Sequence, residues 1–308
     1  MLHILDIAIA YPERQEALSD LQEELSLSRD QMRLYSRFFG FEQFHCDAGE
    51  PLDEMIARAS DAVLARNPDH DATLAQVVHC HTLPSTSPFN GQTSDILAPF
   101  RRRGLECQSA TMNHCATGLS MLGVMADLLE EGQTGLILIG EKAFHPAIRV
   151  IENTTIMGEA AVAVPVGHTE GPYALLDTHR QHATKFWRNT GLRGENYLEG
   201  FDEAYLEFAT QAISAAAARA GIALSDIARV MPHNVNAPSW YQIACKLGLA
   251  SGMIELSTLG RFGHCFGADP FLNLDAAARG GRLSAGDRLL LFSIGLGATA
   301  SAAFLEVR

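Results

Sequence analysis

The chain has no C-x-x-C pair, no long apolar run and little positive charge, and each absence removes a class of function. Its six cysteines, at 46, 80, 107, 115, 245 and 265, are scattered. That spacing gives neither a zinc site nor a disulfide framework, and a reducing cytoplasm is the expected compartment. No apolar run approaches the ~20 residues that span a bilayer, so no membrane partner is expected. The opening Met1-Leu-His-Ile-Leu-Asp6 carries an early acid and no basic stretch, unlike a secretory signal. Lys and Arg number 23 against 36 Asp and Glu, a formal charge of −13. Such a surface repels phosphate backbones, so nucleic acid is not an expected partner. An acidic carrier protein would need a local basic patch. Arg101-Arg102-Arg103 is the candidate, its alternative being a solvated helix end.

What is present is a core. Hydrophobic residues make up 47% of the 308 and charged residues 19%, which suits one large domain or two smaller ones and excludes a disordered chain. The order of elements is stated twice. Residues 51–66 predict an amphipathic helix, followed by a strand from Leu74 to His81. Residues 202–221 predict a second, alanine-rich helix, followed by a strand from Ile227 to His233. Next, Asn113-His114-Cys115 opens a helix ending near Gly132, and a strand covers Leu136–Ile139. In the second half Gly263-His264-Cys265 opens a helix through Ala278, and a strand covers Leu289–Phe292. The His-Cys pair follows the strand-end histidine after 33 residues in the first half and 31 in the second. Each half then adds an apolar strand, 160–164 and 302–307. Continuous apolar strands alternating with helices predict parallel-type sheets covered on both faces. The helix after Cys115 is apolar almost all round, as a fully buried central helix would be.

The chemistry-bearing residues follow that plan. Cys115 sits in Ala110-Thr-Met-Asn-His-Cys-Ala-Thr-Gly118, at a helix start, where free N–H groups and the helix dipole favour a thiolate. His233 and His264 each follow a short apolar run, and Ser293-Ile-Gly-Leu-Gly-Ala-Thr299 is a Gly-rich strand end. A thiol, two imidazoles and that strand end together suggest acyl-thioester chemistry. Cys265 occupies a parallel context but precedes Phe266, which suits core packing. His114 abuts Cys115, although neighbours at a helix start point apart. His79 and His81 share a strand face, but two ligands fall short of the three or four a metal site takes. No metal and no cofactor are expected.

In order and spacing these segments resemble the β-ketoacyl-acyl carrier protein synthase III group of the thiolase superfamily, over nearly the whole chain. Cys115 matches the family nucleophile, His233-Asn-Val-Asn236 its His-Gln-Ala-Asn, Met157-Gly-Glu-Ala-Ala161 its Phe-Gly-Asp-Gly-Ala, and Gly295-Leu-Gly-Ala-Thr299 its Gly-Gly-Gly-Phe-Thr. The opening strand, Ile4–Ile9, fits loosely. The resemblance implies an α/β thiolase fold of five layers, αβαβα, with an internal pseudo-two-fold duplication. Residues 1–165 would form the half carrying the nucleophile and 166–308 the half carrying both catalytic histidines.

It also implies an acyltransferase. An acyl group would load on Cys115 from coenzyme A or acyl carrier protein and condense, with decarboxylation, onto a malonyl-type thioester. His233 and His264 would both donate to the thioester carbonyl, and the backbone N–H groups of Cys115 and Gly297 would form the oxyanion hole. Phe89, Trp187, Arg188 and Asn236 are the candidate substrate-binding residues, Phe89 walling the acyl pocket and Trp187 with Arg188 lining the donor tunnel. A cytoplasmic homodimer acting in fatty-acid-like or specialised metabolism is implied. The alternatives are acyl transfer to an alcohol or amine without decarboxylation, and a partner subunit of a heterodimeric synthase. Three departures stand out. His264 replaces the family's catalytic Asn, Asp30-Gln-Met-Arg33 falls where a Trp stacks on coenzyme A, and the Gly-Gly-Gly run is reduced to Gly-Leu-Gly.

Overall fold

The structure is a computed structural model that describes residues 1–82, 95–111, 113–143, 145–190 and 198–308. Ten strands form one sheet: β1 (His3–Ile4), β2 (Ala8–Ala10), β3 (Leu74–Cys80), β4 (Glu106–Ala110), β5 (Thr134–Glu141), β6 (Ala160–Gly167), β7 (Tyr173–His182), β8 (Ile227–Pro232), β9 (Arg288–Gly295) and β10 (Thr299–Val307). Five helices matter most for the site: α1 (Leu52–Arg66), α2 (Thr117–Leu128), α3 (Phe201–Ala220), α4 (Ala237–Leu247) and α5 (Asp269–Arg279). The ladder runs β8-β9-β10-β7-β1-β6-β5-β3-β4, with β2 on β6.

The two halves repeat one pairing scheme. β3 pairs parallel to β5, and β5 antiparallel to β6. Likewise β8 pairs parallel to β9, and β9 antiparallel to β10. The sheet is therefore mixed, which corrects the expectation of parallel-type sheets. Only three residues, Leu296 to Ala298, join β9 to β10, and so short a link can only reverse the chain. The predicted opening strand is also corrected. It breaks at Leu5–Ile7 into β1, which bridges β6 and β7, and β2, which pairs with β6 alone.

Layering follows from the period-2 alternation of strand side chains. Every residue of β5 and β6 is buried. Along β6, Val162, Val164 and Val166 enter a central core, while Ala161 and Ala163 face an outer core with α1. Along β9, Leu289 and Leu291 enter the same central core, while Leu290, Phe292 and Ile294 face the outer core with α3 and α4. The small alanines of β6 let α1 approach closely. On α1 itself Leu52, Met55, Ile56, Ala59 and Val63 form the buried stripe of an amphipathic helix. α2 touches strands of both halves, and α5 packs on β8 and β9. The order α1, first half-sheet, α2 with α5, second half-sheet, α3 with α4 makes five layers. The central helix is less enclosed than its composition suggests, because Asp127 and Leu128 in its last turn are exposed. Among the described residues no helix is long and apolar enough to cross a membrane, and no group of three or more His, Cys, Asp or Glu could hold a metal ion.

Candidate active site

Cys115 lies in a tight turn, His114–Ala116, that delivers the chain from β4 into α2. His114 is forced to a φ of 48° there, and both residues are buried. The turn is clamped from the second half. Ser293 on β9 donates to the Cys115 carbonyl at 2.9 Å. A Cβ on Gly267 would come within 3.2 Å of the same oxygen, and one on Gly295 within 2.0 Å of the Asn113 carbonyl. Thr82 directs its hydroxyl toward the Cys115 sulfur at 4.0 Å.

His233 follows β8 and is seated by two contacts. Its N–H donates to the Phe292 carbonyl at 3.0 Å, and its own carbonyl accepts from the Trp240 indole at 2.7 Å. His264 follows Gly263, whose φ of 67° and lack of a side chain let the turn pass Phe44. The His264 N–H donates to the Ile156 carbonyl at 3.0 Å, and its carbonyl accepts from Gly158 at 3.1 Å. The two imidazole centres stand 6.0 Å apart. Together with Cys115 they line one cavity of about 290 Å³.

The rings differ in surroundings. His233 is fully buried, and burial together with the nearby His264 pushes it down to about 3. Its Nε2 lies 2.9 Å from the Tyr205 hydroxyl. Burial raises the Tyr205 phenol, so that hydroxyl stays a donor, and Nε2 accepts. For His264, burial works against the charged ring. The Asp269 carboxylate and its hydrogen bond outweigh that, with a smaller part from Cys115, and hold the ring up to about 10. The two rings therefore differ in charge, His233 pushed toward the neutral form and His264 toward the protonated one.

The other sequence-predicted residues fall in several places. Asn236 is on the cavity wall, where its Oδ1 caps α4 through the Ser239 N–H at 2.8 Å and its amide donates to the Thr154 carbonyl at 3.0 Å. Gly297, with a φ of 130°, sits in the β9–β10 turn, but Gly295 and Leu296 are the residues of that segment on the wall. Trp187 is 63% exposed with the Arg188 guanidinium over its ring, and neither lines the cavity. Phe89 lies outside the described residues. Arg101 and Arg103 pair with Asp95 and Asp71, which partly neutralises the candidate basic patch. Cys265 is buried, its thiol pushed well up by burial, as suits core packing.

Sequence reasoning missed Tyr205, Phe39 and Phe201 on the cavity wall. It also missed a buried polar network behind the histidines. Asn273 donates to the Pro232 carbonyl at 2.8 Å and to Asn234 at 3.0 Å, and Asn234 donates to Thr258 at 2.9 Å. Asp269-Pro270 at a helix start was the available signal for this cluster, since acids and proline favour the first turn.

Neutral buried histidines also set a stability prediction. His79, pushed to about 3 by burial and by His81, behaves as His233 does, and burial lowers His45 as well. Each has a folded value below its unfolded 6.5, so the unfolded state takes the extra proton first. Their stabilisation is complete above about pH 6.5 and is lost as pH falls toward 3. His264 runs the other way, contributing fully below 6.5 and fading as pH rises through about 10. Calorimetry across this range should show Tm falling on acidification below pH 6.5. A Tm that holds or rises there would contradict it.

Residues 217–307 match the family described as 3-oxoacyl-[acyl-carrier-protein] synthase III C terminal. A β-ketoacyl-[acyl-carrier-protein] synthase III of Desulfitobacterium hafniense is 32% identical over 88 residues, 29% of this chain and 26% of that protein. The aligned segment thus spans about a quarter of the curated relative. Solved structures agree over the whole chain. ChlB3, an acyltransferase, superposes with a TM-score of 0.84 at 17% identity, covering 99% of this chain and 97% of its own. The 3-oxoacyl-[acyl-carrier-protein] synthase III of Aquifex aeolicus gives 0.79 at 17%, covering 99% and 100%. OleA of Xanthomonas campestris, with lauric acid and lauroyl-CoA bound, gives 0.78 at 17%, covering 99% and 98%. The chain therefore shares the thiolase fold of these solved structures.

Proposed function

We propose that the protein is an acyltransferase that takes an acyl group from a coenzyme A or carrier-protein thioester onto Cys115 and condenses it, with loss of carbon dioxide, onto a malonyl-type thioester. The observation that carries this reading is the meeting of Cys115, His233 and His264 on one cavity wall. The half 1–165 supplies the nucleophile and the half 166–308 the histidines. Apolar side chains such as Phe39, Ile151 and Leu206 give the acyl chain a surface. Positive charge on His264 would stabilise the enolate left by decarboxylation. A cytoplasmic homodimer goes with this reading.

A second reading is transfer to an alcohol or amine without decarboxylation, which uses the same acyl group on Cys115. The two readings separate with a malonyl thioester labelled in its free carboxyl. Condensation releases label as carbon dioxide in step with acyl consumption. Acyl turnover onto an alcohol or amine with the label retained would replace the first reading with the second.

A further inference from the structure

The Cys115 sulfur stands between two spaces. On one side is the cavity of about 290 Å³, whose mouth carries the exposed Asn153, Asp202 and Gln242. On the other is a void of about 10 Å³, lined by His81, Thr82, Thr117, Glu141 and Phe266 among others. Thr82 marks the void side of the sulfur, its hydroxyl 4.0 Å away. Among the described residues none lines both spaces. So small a void has room for about one water molecule and none for a chain.

Phe266 divides the two. It belongs to the apolar cluster that holds Cys115, Ala143, Ile151 and Met157. Its ring stacks on the His264 imidazole, with 6.1 Å between centres and 30° between planes. The next residue, Gly267, runs so close to the Cys115 carbonyl that an added Cβ would stand 3.2 Å from it. Phe266 also holds a φ of 53°, a conformation that a bulky side chain rarely adopts. Strain of that kind persists where packing imposes it, and it gathers at functional sites. The imposed position sets an aromatic ring behind the nucleophile.

We propose that Phe266 sets the acyl-chain length, closing the space behind Cys115 so that only a short acyl group is accepted. This rests on the reading of Cys115 as the acyl-accepting nucleophile. In loading, the Cys115 sulfur bonds to the acyl carbon and the bond from that carbon to the donor sulfur breaks. The proton that leaves Cys115 ends on the departing thiol. The donor arm enters by the mouth, where the wall faces solvent. A chain pointing away from the mouth meets Ala143, Met157 and Phe266, which are 4%, 1% and 3% exposed. It has to stay in the cavity that the donor arm also occupies, and 290 Å³ is at the small end of ligand pockets. Acyl groups of roughly two to four carbons fit that space. Of the three closing side chains only Phe266 also lines the void, so shortening it alone joins void and cavity.

Phe266→Ala and Phe266→Leu test this together, because the smaller change keeps an apolar filling should alanine unfold the turn. Wild type and both variants are incubated with acetyl, butyryl, hexanoyl and lauroyl thioesters of coenzyme A and of pantetheine. Adduct formation on Cys115 is followed by intact-protein mass spectrometry. Wild type should load acetyl and butyryl groups and discriminate against the longer two. The ratio of hexanoyl to acetyl loading should rise on the order of tenfold or more with alanine, and in the same direction by less with leucine. Wild type that loads lauroyl as fast as acetyl would overturn the proposal, and so would folded variants that keep the wild-type ratio. No adduct on wild type with any donor is a different failure: it removes the acyl-enzyme reading, and chain selection at Cys115 with it.

Discussion

Cys115→Ala should form no acyl adduct with any thioester, and turnover should fall on the order of 10⁴-fold or more. The size of the loss follows from the step removed. Without the sulfur no covalent intermediate forms, and the remaining groups can only polarise a bound thioester. The fold should tolerate the change, since Cys115 is buried among small and apolar neighbours and an alanine leaves only a small void. Intact-protein mass spectrometry after incubation with coenzyme A and carrier-bound donors reads the result directly. A persisting adduct would move the nucleophile elsewhere, and Cys265 would not be the first candidate, because its thiol is held well above the usual range by burial.

Gly295→Ala should be the most damaging single-methyl change in the site. The added carbon would sit 2.0 Å from the Asn113 carbonyl and 2.9 Å from the His114 side chain. Neither β9 nor the Cys115 turn can yield easily. β9 is paired on both edges, and the turn is held by Ser293 and by the start of α2. The expected cost is about 3 kcal/mol or more, with acylation impaired even where the variant folds, because the nucleophile turn must move. Gly252→Ala is the control. Nothing lies within 4 Å of its added carbon and its φ is ordinary, so a change within about 0.5 kcal/mol is expected. Equal denaturation midpoints for Gly295→Ala and wild type would mean that β9 and the Cys115 turn are not in the contact described.

The duplicated order of elements was legible because strand and helix periods are local properties of the chain. The helix start that carries Cys115 was legible for the same reason, whereas His264 stands five residues before α5, in a bridge to Met157, and does not open that helix. Strand direction was not, since it depends on how long a connection is once the chain has closed, as at Leu296–Ala298. The polar network of Asn234, Thr258, Asp269 and Asn273 joins segments far apart in sequence, and no spacing rule announces it. Tyr205 hid in the same way. On α3 it reads as one more aromatic in an amphipathic helix, and only the packing of α3 on β7, β10 and α4 brings its hydroxyl to His233. Trp187, a plausible wall residue in the sequence, is largely solvent-facing.

The hydrogen-bonded seam between the halves runs through β1, a strand of two residues pairing with β6 on one side and β7 on the other. So thin a seam cannot hold the halves together. That task falls to the shared interior, where Val162 and Val164 of one half and Leu289 and Leu291 of the other bury against α2 and α5. A half removed from its twin would turn that whole face to water. The molecule is therefore a single cooperative unit, and a population with one half folded and the other melted has no stable place on its unfolding curve.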